Sequence, residues 1–322
     1  MQNKLLLMGM AWLPWSLVSA AACGGGGGGG GFDPVSCLAD AACPYALVSA
    51  HRGMCGDEPE NTLAAYLGCQ ALGVPMVEVD PRQTADGVWV LMHDDDVTRT
   101  TDGETRFPGK TRVDQLTAAE FAQLVINDSR CAGDPEANPE RCHPALLEDL
   151  LRRTRPELLL DVDFKAGDAT SLATLVKTLG AERRILFFDS NLESLRAYRA
   201  VVPGGLVMAR VSSAAEAGQL VREVGPELEL RWVHIDPGYL ADAAREVAGS
   251  GARLYLNAWD YEVDLWLYAA ELATDPEQRR EMEEKAWTRL DELLQNGARG
   301  LGSERGAQIS ARLYPEDWWS SP

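Results

Sequence analysis

Acidic and imidazole side chains are concentrated in one short stretch of this sequence, residues 76–95. Glu78 and Asp80 alternate with valines in a run typical of a β-strand, so both carboxylates are expected on one face of it. Asp86-Gly87 is a turn sequence that tolerates positive φ, and a second run of strand-forming residues follows. A two-residue turn there sets a hairpin register in which Asp80 lies opposite His93. The stretch therefore brings two carboxylates and an imidazole together, although a solvated hairpin face often carries the same kinds of residue.

Two other apolar runs that are typical of strands end in residues of the same kinds. His51 and Arg52 follow the first, and Asp163 and Lys165 lie at the end of a later one. Asp163 and the two hairpin carboxylates make three hard oxygen donors, which suit one divalent cation, Mg²⁺ or Ca²⁺. The predicted metal ligands are Glu78, Asp80 and Asp163.

A divalent cation flanked by two side-chain cations suits a phosphoryl group, because charge that builds on its non-bridging oxygens is neutralised. Arg52 and Lys165 are the predicted phosphate contacts. Two imidazoles can divide the proton transfers, one deprotonating the attacking oxygen and the other protonating the leaving alkoxide. A lone histidine is more often structural, but only four histidines exist here, and His51 and His93 both lie at predicted strand ends. These two are the predicted acid/base pair.

The hydrophobic pattern alternates between strand and helix along most of the chain. Two early strands and six later ones between residues 158 and 302 give eight strands separated by helices. This number in about 280 residues favours an α/β fold of the (β/α)₈ TIM-barrel type over two doubly wound sheets. An inserted hairpin and a polar excursion at 96–144, with one short helix near residues 117–125, follow strand two. One long helix is predicted at 265–295. In such barrels the functional side chains lie at the C-terminal ends of the strands, so the candidate residues are expected at one rim.

The chain has 322 residues and a formal net charge of −19. An acidic field of this size repels nucleic acid and anionic membrane surfaces, so neither is expected as a partner, although a local cationic pocket is compatible with it. We expect a small-molecule substrate, and no feature of the sequence indicates a protein partner.

The N-terminal residues are typical of an export signal. Lys4 precedes an apolar run at 5–18 that is short for a membrane span, and small residues then lead to Cys23. This arrangement resembles a bacterial lipoprotein signal, which predicts lipidation of Cys23. Ala20 stands where leucine is usual, so ordinary cleavage that leaves Cys23 free is the alternative.

Eight glycines at 24–31 are typical of a flexible tether, although low-complexity sequence without a mechanical role is the alternative. The predicted domains are a signal peptide at 1–22, a tether and disulfide-bearing lead-in at 23–44, and the barrel at 45–322. We expect an exported protein of the cell envelope whose membrane contact is made through the lipid anchor only.

The six cysteines besides Cys23 form an even set, which suits three disulfides in an oxidising compartment. Pairing of sequence neighbours is the simplest connectivity, giving Cys37–Cys43, Cys55–Cys69 and Cys131–Cys142. A zinc site is the alternative, but the sequence has no Cys-x-x-Cys pair.

Six motifs lie in order between residues 51 and 101. They are His51-Arg52-Gly53, Pro59-Glu60-Asn61-Thr62-Leu63, Glu78-x-Asp80, Thr84-x-Asp86-Gly87, His93-Asp94 and Arg99-Thr100-Thr101. This order resembles the glycerophosphodiester phosphodiesterase family. The resemblance implies a metal-dependent (β/α)₈ barrel that hydrolyses glycerophosphodiesters to glycerol 3-phosphate and an alcohol. It also implies the following roles: His51 and His93 as acid/base pair, Glu78 and Asp80 as metal ligands, and Arg52 as a phosphate contact.

Two later segments depart from the family pattern. Asp163-Phe164-Lys165 stands where Glu-x-Lys is usual, which keeps the carboxylate charge but shortens its reach to a metal. Gly302-Ser303-Glu304-Arg305 stands where Thr-Asp-x-Pro is common. Asn61 or Thr62 is expected to cap the first helix. Glu60 and Asn61 are expected to cap this helix and support the site rather than contact the metal.

For three tryptophans outside these motifs, the sequence is compatible with two alternative roles. Trp259 follows strand seven, and it either lines the substrate mouth or is an ordinary packed aromatic. Trp318 and Trp319 are expected to form a docked tail, with membrane contact as the alternative.

The leading hypothesis is an envelope-anchored, metal-dependent glycerophosphodiester phosphodiesterase. One alternative is a related lipid phosphodiesterase that acts on a sphingolipid or on phosphatidylinositol. The other is a non-catalytic lipoprotein that keeps the barrel as a binding module. The complete set of His51, Arg52, Glu78, Asp80 and His93 favours catalysis.

Overall fold

The computed structural model describes residues 32–315 and Trp318. The predicted signal peptide, the lipidation site Cys23, the glycine tether and Trp319 lie outside the described residues. Among the described helices, none combines the length and apolar character needed to cross a membrane.

Ten strands are formed within the described part of the chain. They are β1 (Leu47–Ala50), β2 (Met76–Val79), β3 (Pro81–Gln83), β4 (Trp89–Leu91), β5 (Leu159–Asp163), β6 (Ile185–Asp189), β7 (Leu206–Arg210), β8 (Trp232–His234), β9 (Arg253–Asn257) and β10 (Ala298–Ser303). Eight close into a parallel barrel in the order β1-β2-β5-β6-β7-β8-β9-β10, and β3 pairs with β4 outside it. The predicted TIM barrel with an inserted hairpin is therefore confirmed.

Helices cover the outside of the barrel and fill the excursion. They are α1 (Pro34–Ala39), α2 (Leu63–Ala71), α3 (Gly103–Arg106), α4 (Ala118–Phe121), α5 (Pro139–Cys142), α6 (Leu147–Arg153), α7 (Ala169–Thr178), α8 (Leu192–Val201), α9 (Ala214–Glu223), α10 (Gly225–Leu228), α11 (Leu240–Glu246), α12 (Val263–Leu272), α13 (Pro276–Gln295) and α14 (Gly306–Leu313). Most residues of the barrel strands are buried, as expected where helices cover a parallel sheet.

The single helix predicted at 265–295 is instead two helices, α12 and α13. Pro276 is the first residue of α13, and the side chain of Asp275 accepts a hydrogen bond from the N–H of Glu277 as the N-cap. Proline lacks the N–H that a continuous helix requires and disfavours helical backbone at the residue before it. A helix end is therefore expected here, and the prediction overlooked it.

The segment before β1 packs onto the barrel. Helix α1 supplies the carbonyl oxygen of Leu38, which accepts a hydrogen bond of 3.0 Å from the indole N–H of Trp232. The carbonyl of Cys37 accepts one of 2.6 Å from the Arg253 guanidinium. Trp232 and Leu38 are fully buried. Residues 34–39 therefore contribute to the core beneath β8 and β9.

The hairpin register differs from the prediction by one residue. Gln83 pairs with Trp89. The N–H of Met92 donates to the carbonyl of Asp80 at 3.0 Å. Asp80 is therefore opposite Met92, and the predicted pairing of Asp80 with His93 is wrong.

Hydrogen bonds of Thr84, the residue before the loop, explain this shift in register. The N–H of Thr84 donates to the carbonyl of Val88 at 3.0 Å, and the hydroxyl of Thr84 accepts from the N–H of Val88 at 3.0 Å. The loop between them is residues 85–87, one residue longer than predicted. Gly87 has a φ of +84°, the left-handed conformation typical of the last position in such a loop.

The excursion after the hairpin has a small core of its own. Its buried residues are Val90, Met92, Val97, Val113, Leu116, Phe121 and Leu124. The excursion also contains three short helices, α3, α4 and α5. The structure thus has more helix in this region than the one short helix near residues 117–125 that the sequence predicts.

Three disulfides join the described cysteines in the predicted connectivity. They are Cys37–Cys43, Cys55–Cys69 and Cys131–Cys142. The zinc alternative is therefore excluded for these residues.

The C-terminal tail docks on the barrel as predicted for Trp318. Its ring lies 5.0 Å from that of Phe32 and 5.6 Å from that of Tyr314, measured between centroids. The Tyr314 hydroxyl accepts from the N–H of Val48 and donates to the carbonyl of Ala46, which anchors the tail to β1.

Candidate active site

Three carboxylates converge at the C-terminal rim of the barrel. Glu78 lies on β2, Asp80 follows it, and Asp163 ends β5, which is the neighbour of β2. One carboxylate oxygen from each lies within 4.8 Å of the other two. Asp80 is fully buried and Glu78 is 7% exposed. The predicted ligand set is therefore assembled, and it could hold a cation.

The charges of this cluster are unevenly compensated. The Lys165 ammonium lies 3.1 Å from Oδ1 of Asp80 and 2.5 Å from Oδ2 of Asp163. Burial and then the charges of Asp80 and Asp163 raise the pKa of Glu78 well above its usual value. Burial acts the same way on Asp80, but Lys165 and the hydrogen bonds to Asp80 lower its pKa. A further positive charge would therefore stabilise the ionised cluster.

The side chain of Asn61 donates a hydrogen bond to Asp80. The amide of Asn61 donates to Oδ2 of Asp80 at 2.8 Å, and the hydroxyl of Tyr66 donates to the Asn61 carbonyl oxygen at 2.6 Å. Helix α2 is capped by Thr62, whose hydroxyl accepts from the N–H of Ala65. Capping by Asn61 is therefore wrong, whereas its supporting position beside the cluster is as expected.

Arg52 lies beside the same carboxylates. Its backbone N–H donates to Oε2 of Glu78 at 2.7 Å, and its Nη1 donates to Glu60 at 3.1 Å. Its Nε lies 3.7 Å from Oδ2 of Asp80. Glu60 therefore supports the site through Arg52, and the expectation that it caps the helix is wrong.

The two candidate acid/base residues each have a carboxylate at Nδ1. For His51 the distance from Nδ1 to Oε1 of Glu304 is 3.5 Å. For His93 the distance to Oδ1 of Asp94 is 2.7 Å. The His51 ring also lies 4.3 Å from the Trp259 ring, measured between centroids. With Nδ1 directed at a carboxylate, Nε2 is the ring nitrogen left for a substrate.

A chain of ion pairs connects His93 with Arg52. Asp94 binds Arg99, whose guanidinium donates two hydrogen bonds to Glu60, at 2.7 and 3.0 Å. Glu60 in turn accepts from Arg52. The motif residues around 60 and 99 therefore hold the two sides of the site at a fixed separation.

These groups line one cavity of 330 Å³, a size that suits a small molecule. The predicted residues at its wall are His51, Arg52, Glu78, His93, Asp163 and Lys165. Asp80 lies beneath them, joined to Lys165 and Arg52. Trp259 is also in the wall, as one of its two interpretations proposes. The structure therefore brings all seven predicted residues together.

Asp161, Arg210 and His234 also line the cavity and were not predicted. Asp161 is buried on β5, and burial raises its pKa to about 7, with the charge of Asp163 acting in the same direction. Burial, followed by the charge of Arg210, lowers the pKa of His234 to about 4. Arg210 and His234 end β7 and β8, and Asp161 is two residues before Asp163 on the same strand face. The strand-end rule and the two-residue period would have identified all three.

Curated proteins and a family model match this chain. The model described as the glycerophosphoryl diester phosphodiesterase family matches residues 51–214. A glycerophosphodiester phosphodiesterase of Caldanaerobacter subterraneus subsp. tengcongensis is 31% identical over 163 residues, which are 49% of this chain and 63% of that protein. Glycerophosphodiester phosphodiesterase 1 of Mus musculus is 35% identical over 148 residues, 44% of this chain and 40% of that protein. The chain thus spans less than two thirds of either relative's length.

Solved structures share the barrel. A glycerophosphoryl diester phosphodiesterase from Parabacteroides distasonis has a TM-score of 0.64 at 21% identity, over 88% of this chain and 92% of that one. A phosphodiesterase from Oleispira antarctica was solved in complex with the product sn-glycerol-3-phosphate. It has a TM-score of 0.59 at 21% identity, over 84% of this chain and 98% of that one. At these identities the likeness shows the fold alone. Because the family model matches half of the residues, the chain belongs to the glycerophosphoryl diester phosphodiesterase family.

Proposed function

We propose that this chain is a metal-dependent phosphodiesterase that hydrolyses glycerophosphodiesters to glycerol 3-phosphate and an alcohol. One observation carries the proposal: two carboxylates of the cluster, two side-chain cations and two imidazoles line a single cavity of 330 Å³, and the third carboxylate, Asp80, lies beneath them. The names of the matched relatives and the product held by the Oleispira antarctica structure support it.

The ligand set fits one hard divalent cation, Mg²⁺ or Ca²⁺. Glu78, Asp80 and Asp163 would hold it, because carboxylate oxygens are the ligands that both ions prefer. When bound, such an ion supplies positive charge for the non-bridging oxygens of a phosphodiester. Lys165, whose ammonium lies beside Asp80 and Asp163, would contact the phosphate from this position.

The protein residues then divide the remaining work. Arg52 and Lys165 orient the phosphodiester and stabilise charge on its equatorial oxygens. One histidine takes a proton from the attacking water as its oxygen forms the new bond to phosphorus. The other gives a proton to the alcohol oxygen as the bond from phosphorus to that oxygen breaks. One water molecule is consumed, and neither His51 nor His93 is changed after the protons are exchanged with solvent.

The protein acts outside the cytoplasm in this proposal. Residues 1–22 are removed as a signal peptide, Cys23 carries the lipid, and residues 24–31 tether the barrel to the cell envelope. Three disulfides in the described residues support an oxidising compartment, because such bonds are rare where thiols are kept reduced.

The test is a substrate panel assayed for release of glycerol 3-phosphate from the glycerophosphodiesters and for release of the head group, free or phosphorylated, from the intact lipids. It contains glycerophosphocholine, glycerophosphoethanolamine and glycerophosphoinositol, together with sphingomyelin and phosphatidylinositol. We expect turnover of the glycerophosphodiesters, and a decrease in kcat of roughly 10²- to 10⁴-fold in His51→Ala and in His93→Ala. Turnover of sphingomyelin or phosphatidylinositol, without turnover of any glycerophosphodiester, would show that the substrates are intact lipids and would contradict the proposed substrate class. Absence of turnover on the whole panel, with Mg²⁺ or Ca²⁺ present, would favour the non-catalytic barrel.

A further inference from the structure

The segment that departs from the family pattern, Gly302-Ser303-Glu304-Arg305, is held firmly at the rim. Asp264, at the start of α12, accepts a hydrogen bond of 2.7 Å from the Ser303 hydroxyl and another of 2.7 Å from the N–H of Glu304. The Ser303 hydroxyl also accepts from the N–H of Arg305 at 2.8 Å. Asp264 is only 6% exposed. The backbone of Glu304 therefore has a fixed position at the end of β10.

This position directs the Glu304 side chain at His51. Oε1 of Glu304 lies 3.5 Å from Nδ1 of His51, and this is the one ion pair that His51 makes among residues 32–315. Nδ1 is buried and makes no hydrogen bond within the described residues, and the Glu304 carboxylate at 3.5 Å is the charged group that faces it. The Trp259 ring packs against the imidazole, so contact with Glu304 and contact with the indole together decide how the ring is turned.

Glu304 is suited to accept a hydrogen bond from Nδ1. The contact with His51 lowers the pKa of Glu304, and the charges of Arg305 and Arg52 lower it further, while partial burial opposes them. The carboxylate is therefore ionised near neutral pH. His93 shows the same arrangement more closely, with Asp94 at 2.7 Å from its Nδ1.

We infer that Glu304 is the positioning residue of His51: it accepts the Nδ1–H, fixes that tautomer and turns Nε2 toward the cavity. Glu304 acts through His51 and does not line the cavity itself. The inference rests on the proposed function for the role of His51 in turnover. The tautomer and the ring orientation are properties of the protein without substrate.

The test compares Glu304→Ala, Glu304→Gln and Glu304→Asp in the full chain. Alanine removes the acceptor, so kcat should fall by at least about 10-fold, yet by less than the roughly 10²- to 10⁴-fold expected for loss of the imidazole. KM should stay within about twofold, because Glu304 does not contact the cluster that would bind phosphate. Glutamine keeps an oxygen acceptor and aspartate keeps the charge, so each should recover part of kcat.

Glu271→Gln is the matched control. Glu271 is 43% exposed against 46% for Glu304, and it binds Arg305 at 3.3 Å without touching His51. We expect wild-type kcat in Glu271→Gln, with melting temperatures of all variants close to that of the wild type. The limb of the kcat–pH profile that belongs to His51 should move only in the Glu304 variants.

A measurement on the protein without substrate tests the role of Glu304 independently of the proposed function. Nitrogen-15 NMR of the histidine side chains should show neutral His51 protonated at Nδ1 in the wild type and a loss of that preference in Glu304→Ala. This result would support the positioning role even if no glycerophosphodiester is hydrolysed, an outcome that would defeat the proposed function alone. An unchanged His51 tautomer in Glu304→Ala, or wild-type kcat and pH profile in an active enzyme, would overturn the inference.

Discussion

The backbone N–H of Arg52 donates a hydrogen bond of 2.7 Å to Oε2 of Glu78, which ties the exit of β1 to a candidate metal ligand on β2. Arg52 has a φ of +51°, a left-handed conformation that costs a non-glycine residue about 1–2 kcal/mol. This backbone strain is offset by a bond that fixes the position of Glu78. The residue therefore has two separable functions, one in its backbone and one in its guanidinium.

Arg52→Gly separates these two functions. Glycine adopts the left-handed backbone freely, so the free energy of unfolding should stay within about 1 kcal/mol of the wild-type value. Loss of the guanidinium should lower kcat/KM by roughly 10²- to 10³-fold, the range for removing one donor from a developing oxyanion. Steady-state kinetics and urea unfolding measure both quantities. Wild-type kcat/KM in Arg52→Gly would remove Arg52 from phosphate recognition.

Substitutions of Asp163 test whether the carboxylate at the end of β5 binds the proposed cation. It is one methylene shorter than glutamate, so roughly 1.5 Å of reach is lost, whereas bonds to hard cations stay near about 2.0–2.6 Å. We expect Asp163→Asn to weaken cation binding at least about 10-fold, and Asp163→Glu to stay active with a changed preference between Mg²⁺ and Ca²⁺. Isothermal calorimetry measures the affinities. Equal affinity in Asp163→Asn and wild type would leave Glu78 and Asp80 as the only protein ligands of the proposed set.

His234 should make the fold sensitive to acid. Burial, with the Arg210 charge, lowers its pKa to about 4, whereas an unfolded chain has a histidine pKa of about 6.5. The unfolded state therefore binds the proton first, and stability present above about pH 6.5 is lost as the pH falls toward 4, by roughly 3 kcal/mol in total. Melting curves of wild type and His234→Gln between these pH values isolate this contribution. Curves that fall in parallel would show that His234 is not the source.

Cys23 is expected to carry the lipid anchor, and the six later cysteines are expected to be paired. Intact-mass analysis of protein purified from the cell envelope should show a lipidated N-terminal Cys23 and no thiol that reacts after denaturation. A soluble product that begins at another residue would contradict the anchor. Several titratable thiols would contradict the disulfides.

The barrel could be predicted because each βα unit carries its own hydrophobic period in the sequence. Strand ends then placed residues as distant as His51 and Asp163 at one rim without any knowledge of their contacts. The hairpin register could not be read in the same way, since hydrogen bonds between Thr84 and Val88 decide between a loop of two residues and one of three. A turn sequence such as Asp86-Gly87 is compatible with both.

Contacts between side chains that are far apart in the chain could not be predicted from the sequence. Glu304 and His51 meet because β10 pairs with β1 to close the barrel, and no local period encodes that contact. The ion pairs of Arg99 with Glu60 likewise depend on how the excursion folds back over the rim. The sequence could identify which side chains do chemistry, but the side chains that orient them follow from barrel closure.

The most direct test of the account follows oxygen from water into the product. The full chain is incubated with a glycerophosphodiester in ¹⁸O-water containing Mg²⁺ or Ca²⁺, and phosphorus NMR detects the isotope shift of the phosphate formed. We expect glycerol 3-phosphate that carries one oxygen from water. It should form with the cation present, and it should not form in chelator or with Asp80→Asn. Failure to form glycerol 3-phosphate from any diester, or its formation at an undiminished rate by metal-free protein in chelator, would contradict the account.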